Sequence, residues 1–329
     1  MKRLCRFYVA VFLIAGSTPC LADWFSDTQG IMGTEVSVTL WHEDASQAKS
    51  VIARVMAEMR RIDQALSPYI ESSELSRVNA QAYEKTQTLS EELAFLIEKS
   101  LEFSVLSGGA FDITFASVAR YYDYRNKLKP SEQERLAALP AIDYHWLEFD
   151  KATRSLRFKH DKVHIDLGGI AKGYAVDRAI AILEQYEVRH ASVSAGGDSR
   201  LLGNRHGRPW VIGVKHPRPA VGDREAVIRL PLSDTAVSTS GDYERYFIDD
   251  ETGERIHHIL QPRTGKSASE VMSVTVLGRR GVYTDPLSTT VFVLGVEKGL
   301  GLVNGLNGFD AIIIDSRGKV HYSEGLTAP

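Results

Sequence analysis

The feature that most limits the fold of this chain is the distribution of strand-like and helix-like segments in its second half. Apolar runs at 145–149, 155–158, 163–166, 192–194, 210–215, 227–232, 273–277 and 311–314 read as strands. Only three stretches between them, 170–186, 285–294 and 296–304, read as helices. Runs of neighbouring strands with segregated helices predict an α+β fold with largely antiparallel sheets, not a doubly wound parallel sheet. The first half agrees. Val36, Val38 and Leu40 alternate with Ser37 and Thr39 as a half-buried strand. Val51, Val55, Met59, Ile62 and Leu66 then recur at helical spacing until Ser67-Pro68. A second helix opens at Ser90 with Glu91 and Glu92 in its first turn, carries Leu93, Ile97 and Leu101, and stops at Gly108-Gly109. Ser131 with Glu134 forms a capping box for a short third helix.

The N-terminus has a different character. Met1-Lys2-Arg3 and Arg6 are basic, Phe7 to Ala15 are apolar, and Cys20-Leu21-Ala22 ends on a small residue. That layout predicts a cleaved secretory signal peptide over 1–22 and one domain over 23–329, with the protein exported to the periplasm. The apolar stretch is too short to span a bilayer. Both cysteines, Cys5 and Cys20, leave with the leader, so the mature chain has no disulfide, thiolate metal site or cysteine nucleophile. Three of the 39 basic residues leave as well, and 36 against 42 acidic residues give −6, a balance that argues against nucleic acid as a partner. Inner-membrane lipoprotein processing at Cys20 is the competing reading, but Pro19 stands where such sites carry a small residue. No linker, low-complexity tract or internal repeat divides the rest.

Several segments carry chemistry. In Asp166-Leu167-Gly168-Gly169-Ile170-Ala171-Lys172-Gly173-Tyr174 a strand ends on a carboxylate, glycines bend the backbone, and a helix begins with Lys172 in its first turn. Backbone N–H groups at such a start suit a phosphate, and a lysine adds a point charge. A plain strand–helix turn with a solvated lysine has the same spacing. In Thr284-Asp285-Pro286-Leu287-Ser288-Thr289, Thr284 or Asp285 can cap a helix with Pro286 at its first position. Asp285 and Thr289, four apart, then share a face, which suits part of a hard-cation shell or simply a capped helix. In His257-His258-Ile259-Leu260-Gln261-Pro262-Arg263-Thr264-Gly265 the two imidazoles point to opposite faces of a strand, so only one enters a site. Ser107 to Asp112 and Ser194 to Asp198 are two further Gly-Gly bends followed by Asp. No HExxH, GxSxG or paired-Cys pattern is present.

Taken in order, Met32-Gly33-Thr34, Ser67-Pro68-Tyr69, Ser107 to Asp112, Asp166 to Tyr174, Ser194 to Asp198, His258 to Gly265 and Asp285 to Thr289 resemble the FAD:protein FMN transferases, the ApbE family. The resemblance spans residues 30–320 and implies the family's mixed fold. It also implies an extracytoplasmic, Mg²⁺-dependent enzyme that takes FAD as substrate. Such an enzyme moves the FMN half onto a Thr or Ser hydroxyl of an acceptor protein through a phosphoester and releases AMP. The family's acceptors are subunits of membrane redox complexes. Carried over by motif, the flavin contacts fall on Met32, Tyr69, Ala110, Phe111, Asp112, Asp166, Lys172 and Ile259. The metal site falls on Asp285 and Thr289, the Gly169 backbone and Ser288. His258 is the candidate base for the acceptor hydroxyl, with an ordinary pKa near working pH, and Asp285 completes the catalytic pair.

The chain departs from the family pattern at Gln261, Pro286 and Ser288, and it lacks a proline after Phe111-Asp112. Ser288, where many members carry a second acid, implies a more weakly held metal. Two other classes remain: a Mg²⁺-dependent FAD pyrophosphatase giving AMP and FMN, and a non-catalytic flavin-binding protein. Sequencing the exported protein is expected to start at Asp23, and a lipid-modified Cys20 or an uncleaved cytoplasmic chain would overturn the leader assignment.

Overall fold

The computed structural model describes residues 23–218 and 226–327, and the expected leader, with Cys5 and Cys20, lies outside them. One eight-stranded sheet organises the chain. Its strands are β1 (Asp23–Ile31), β2 (Thr34–His42), β3 (Ala191–Ala195), β4 (Asp198–Leu202), β5 (Ala236–Gly241), β6 (Val271–Gly278), β7 (Asp310–Asp315) and β8 (Val320–Tyr322). Their order across the sheet is their order in the chain, and every neighbouring pair is antiparallel. The α+β reading with antiparallel sheets holds.

Four long helices matter for the site: α1 (Ala45–Leu66), α2 (Glu91–Leu106), α3 (Ala171–Gln185) and α4 (Gly281–Asn304). In α1 the Asp44 side chain caps the N–H groups of Ser46 and Gln47, and the expected stripe Val51, Val55, Met59, Ile62, Leu66 is buried. Ser90 caps α2 through Leu93 N–H, and the Ser131–Glu134 capping box is present. All eight residues of β6 are buried, because the sheet is covered on both faces. Helix α4 lies on one face; on the other, Val214 of the hairpin Trp210–Lys215/Ala226–Leu232 packs on Met272, Ile312 and Ile314.

Several expectations are corrected. Residues 163–166 are not a strand. They run extended with no neighbour strand, and side chains satisfy the backbone instead: Asn79 Oδ1 accepts from Ile165 N–H at 2.8 Å, and its Nδ2 donates to Ile165 C=O at 2.9 Å. The strand expected from His145 starts at Leu147, because Asp143 caps a single 3-10 turn over Tyr144–Trp146. Strand β5 escapes notice because Ser238, Thr239 and Ser240 give no apolar alternation. Their hydroxyls meet Thr284, Thr275 and Ser288 at 2.8, 2.9 and 2.8 Å, a buried polar seam against β6 and α4.

Helix α4 also begins earlier than expected. Asp285 and Thr284 are not its cap, and Pro286 sits inside it; the break between the two expected helical segments is a bend at Gly295, φ 78°. The cap comes from α3 instead. Asp177 Oδ1 and Oδ2 accept from Gly281 and Val282 N–H at 2.8 and 3.0 Å, and this frees Asp285 for other partners. The two helices cross at glycines: a Cβ on Gly173 would stand 2.1 Å from Gly281 O, and one on Gly281 2.3 Å from Gly173 O. Since backbone cannot yield as a side-chain tip can, Gly173→Ala is expected to cost about 3 kcal/mol or more, the upper end of overpacking penalties. Urea unfolding checks it, and an unchanged midpoint would show that the helices separate freely.

Candidate active site

The α3–α4 crossing builds the centre of the site. It brings the N–H of Gly173, in the first turn of α3, to 2.9 Å from Asp285 Oδ2. Asp285 is 3% exposed and Asp198, at the start of β4, is 2% exposed. Lys172 lies between them, with Nζ 2.6 Å from Asp198 Oδ2 and 3.7 Å from Asp285 Oδ1, and it also donates to Gly168 C=O at 3.3 Å. With both carboxylates ionised, one ammonium leaves this buried cluster one negative charge. Burial and the neighbouring Asp198 push Asp285 above the ordinary carboxylate range, while Lys172 and the helix N–H oppose the rise. Against burial, Asp198 and Asp285 hold the Lys172 ammonium above its own range.

Asp285 and Thr289 share a face of α4, as their spacing predicts. The Gly168-Gly169 bend closes on them: a Cβ on Gly169 would lie 3.5 Å from Thr289 Oγ1 and 3.1 Å from Phe111 Cε2. Among the described residues no three His, Cys, Asp or Glu side chains are grouped to hold a metal. An ion here would therefore rely on Asp285, the Thr289 hydroxyl and the Gly169 backbone. Oxygen donors and a residual negative charge fit Mg²⁺, which keeps several ligands for water and phosphate. Ser288 is placed differently from expectation. Its hydroxyl donates to Asp285 C=O at 2.8 Å and meets Ser240 Oγ at 2.8 Å, so it braces the helix. Ser240 Oγ stands 3.2 Å from the Oγ1 of the candidate ligand Thr289, a neighbour its sequence did not signal.

The remaining candidates differ widely in exposure. Met32 occupies the β1–β2 turn with φ 56°, its N–H given to Asp63 Oδ2 at 3.1 Å. Tyr69 follows α1 and is 82% exposed, a free aromatic face beside Asp166. The Asp166 carboxylate accepts from Gly168 N–H at 2.6 Å and so folds the bend. Ala110 and Phe111 follow the α2 terminus, where Ser107 Oγ accepts from Phe111 N–H at 2.9 Å. Asp112 and Ile259 are set further in. The Asp112 oxygens are taken by Thr114 and by Tyr144 N–H, and burial pushes its carboxyl up to about 6. The Ile259 side chain is 6% exposed and belongs to the core.

The two histidines differ in burial. His257 Nε2 lies 2.7 Å from Ala268 C=O in the interior. His258, one residue past the strand Arg255–His257, is half-buried, with its N–H given to Arg245 C=O at 3.2 Å. Its Nδ1 is sealed from solvent without a partner. The expectation of a pKa near working pH is corrected: desolvation first, then Arg245, hold the imidazole well below its ordinary value, so it is neutral. Arg245 was not foreseen. It follows the missed strand β5, and none of the motifs read from the sequence includes it.

The profile of the ApbE family matches residues 32–313. The chain belongs to the ApbE family. Every candidate from Met32 to Thr289 lies inside the matched span. The chain is 30% identical over 313 residues to the FAD:protein FMN transferase of Haemophilus influenzae, covering 91% of this chain and 90% of that protein. The protein of the same name from Treponema pallidum is 28% identical over 351 residues, covering 99% and 96%. Among solved ApbE structures, the Thermotoga maritima protein superposes with a TM-score of 0.84 at 34% identity, covering 93% of this chain and 98% of that one. The flavin transferase ApbE of Vibrio cholerae gives 0.82 at 25%, covering 93% and 99%.

Asp285→Asn keeps an acceptor for Gly173 N–H and removes the charge that favours a cation. With Mg²⁺ at about 100 times its Kd the native protein should gain about 2.7 kcal/mol of stability. The variant is expected to fold normally and show little gain in the same thermal melts. Equal Mg²⁺ responses would remove Asp285 from the metal site.

Proposed function

We propose that this protein is a FAD:protein FMN transferase that joins the FMN half of FAD to a Thr or Ser hydroxyl of an acceptor protein and releases AMP. The observation that carries this reading is the convergence of the Gly168-Gly169 bend, Asp198, Asp285 and His258 on Lys172. Family membership over nearly the whole domain supports it, as do relatives named for this activity.

In the reaction the acceptor oxygen forms a bond to the FMN phosphorus, the bridging P–O bond breaks, and AMP leaves. Mg²⁺, when bound, neutralises charge developing on the transferring phosphate. The chain's residues do the rest. Asp285 and Thr289 would hold the ion, and Gly173 N–H fixes Asp285. Tyr69 and Met32 offer faces for the flavin or adenine ring. His258 takes the acceptor proton: it is neutral, and with Nδ1 sealed away its Nε2 is the nitrogen left to meet the hydroxyl. The leader-like zones of residues 1–22 support a periplasmic enzyme, and a subunit of a membrane redox complex is the acceptor class this reading implies.

The test is intact-mass spectrometry of candidate acceptors incubated with the enzyme, FAD and Mg²⁺. The acceptor should gain the mass of FMN less water, with one AMP released per attachment. His258→Ala should lower attachment at least about 100-fold, the scale of a lost proton-transfer group, while FAD still binds. AMP release at the same rate without any acceptor, and no acceptor gaining mass, would replace transfer by hydrolysis.

A further inference from the structure

Lys172, the cation expected to meet a phosphate, is committed to Asp198 and Asp285. The N–H of Gly173 in the same helix turn is committed to Asp285. A cluster of net charge −1 and a diphosphate of charge −2 exceed what one Mg²⁺ offsets, so a dinucleotide here calls for a further cation. Arg245 is placed to supply it. Its backbone C=O accepts from His258 N–H at 3.2 Å, which fixes the residue beside the candidate base. Its side chain reaches the β1–β2 turn, where Nη2 lies 3.5 Å from Gly33 C=O. A Cβ on Gly33, already at φ +66°, would come within 3.1 Å of that nitrogen, so the glycine leaves room for the guanidinium.

Arg245 is also unspent. Arg218 is paired with Asp242, and Arg200 and Arg280 with Asp177. Among the described residues Arg245 has no carboxylate partner, and of its five donors only one makes the long contact to Gly33. Its charge nevertheless acts on Tyr69, Asp166, Lys172 and His258, all of them candidates of this site or members of its cluster. A planar fork with free donors, held at both ends of its residue, suits bidentate binding of phosphate oxygens.

We propose that Arg245 is the diphosphate-binding residue of this site, receiving the phosphate oxygens of FAD. The inference rests on the transferase reading, and binding experiments separate the two. Affinities of the full protein for FAD, ADP and riboflavin are measured by calorimetry with Mg²⁺ present, for the native chain, Arg245→Gln and Arg245→Lys. Arg245 is exposed, so unchanged thermal melts are expected to report intact folds. Arg245→Gln should weaken FAD and ADP alike, by about tenfold or more, the scale of a charge-assisted bidentate pair. Riboflavin affinity should be unchanged, and Arg245→Lys should recover part of the loss. If native protein binds FAD and Arg245→Gln binds it equally well, the assignment is overturned and the transferase reading stands. Equal weakening of riboflavin would also overturn it, by showing that Arg245 acts on the ring or the cleft wall. Failure of the native protein to bind FAD would overturn the transferase reading, and this assignment with it.

Discussion

Everything at the site depends on how closely two helix N-termini approach each other. Gly173 and Gly281 lack the Cβ atoms that would collide with the opposing backbone at 2.1 and 2.3 Å. Only at that separation can Gly173 N–H reach Asp285, and only then can Asp177 cap α4 from α3. The capping is reciprocal in effect: α3 supplies the carboxylate for the start of α4, and α4 supplies the carboxylate for the start of α3. Each helix dipole thus meets an acid of its neighbour. Two buried aspartates that would otherwise be costly become part of the packing.

Electrostatics then follows from geometry. Lys172, next to Gly173, is carried by the same helix turn into the gap between Asp198 and Asp285. One ammonium cannot neutralise two carboxylates, so the cluster keeps a charge that a divalent cation can offset. Such desolvated charges gain far more from a partner than they would in water. His258 experiences the opposite setting. Desolvation and the cations around it favour its neutral form and make it a weaker base than a free imidazole.

Much of this was legible in the sequence. The helical stripe of α1, the capping serines at 90 and 131, the Gly-Gly bends and the same-face pair Asp285 and Thr289 all declared themselves through local rules. What was not legible involved partners distant in the chain. Asp177 as a cap for a helix 104 residues away has no local signature. The β5 hydroxyls look like a loop until Thr275, Thr284 and Ser288 are set against them. The 163–166 segment has strand composition, but its hydrogen bonds go to Asn79, from a helix 86 residues earlier in the chain. The pKa of His258 likewise depends on burial and on Arg245, neither of which an isolated His-His pair discloses.

The exceptions to ordinary rules locate the functional region, provided they are weighed together. Positive φ alone does not discriminate: besides Met32, the non-glycine residues Lys127, Arg154, Glu187, His206 and Asp234 also adopt it, each in a turn or bend outside the cleft. The Asp177 carboxylate is buried and shifted upward as well, yet two helix N–H groups account for it. Among the described residues several unresolved costs are linked through Arg245 and Lys172: Met32 at positive φ beside Gly33, an unpartnered His258 Nδ1, a raised Asp285 and a guanidinium without a salt bridge. Folding alone gains nothing from this combination, since each could be relieved by a neutral or smaller side chain. The missing partners are of complementary kinds, a cation for the acids and an anion for the arginine. A metal-bound phosphate ester supplies both at once, which is why these costs belong in one place.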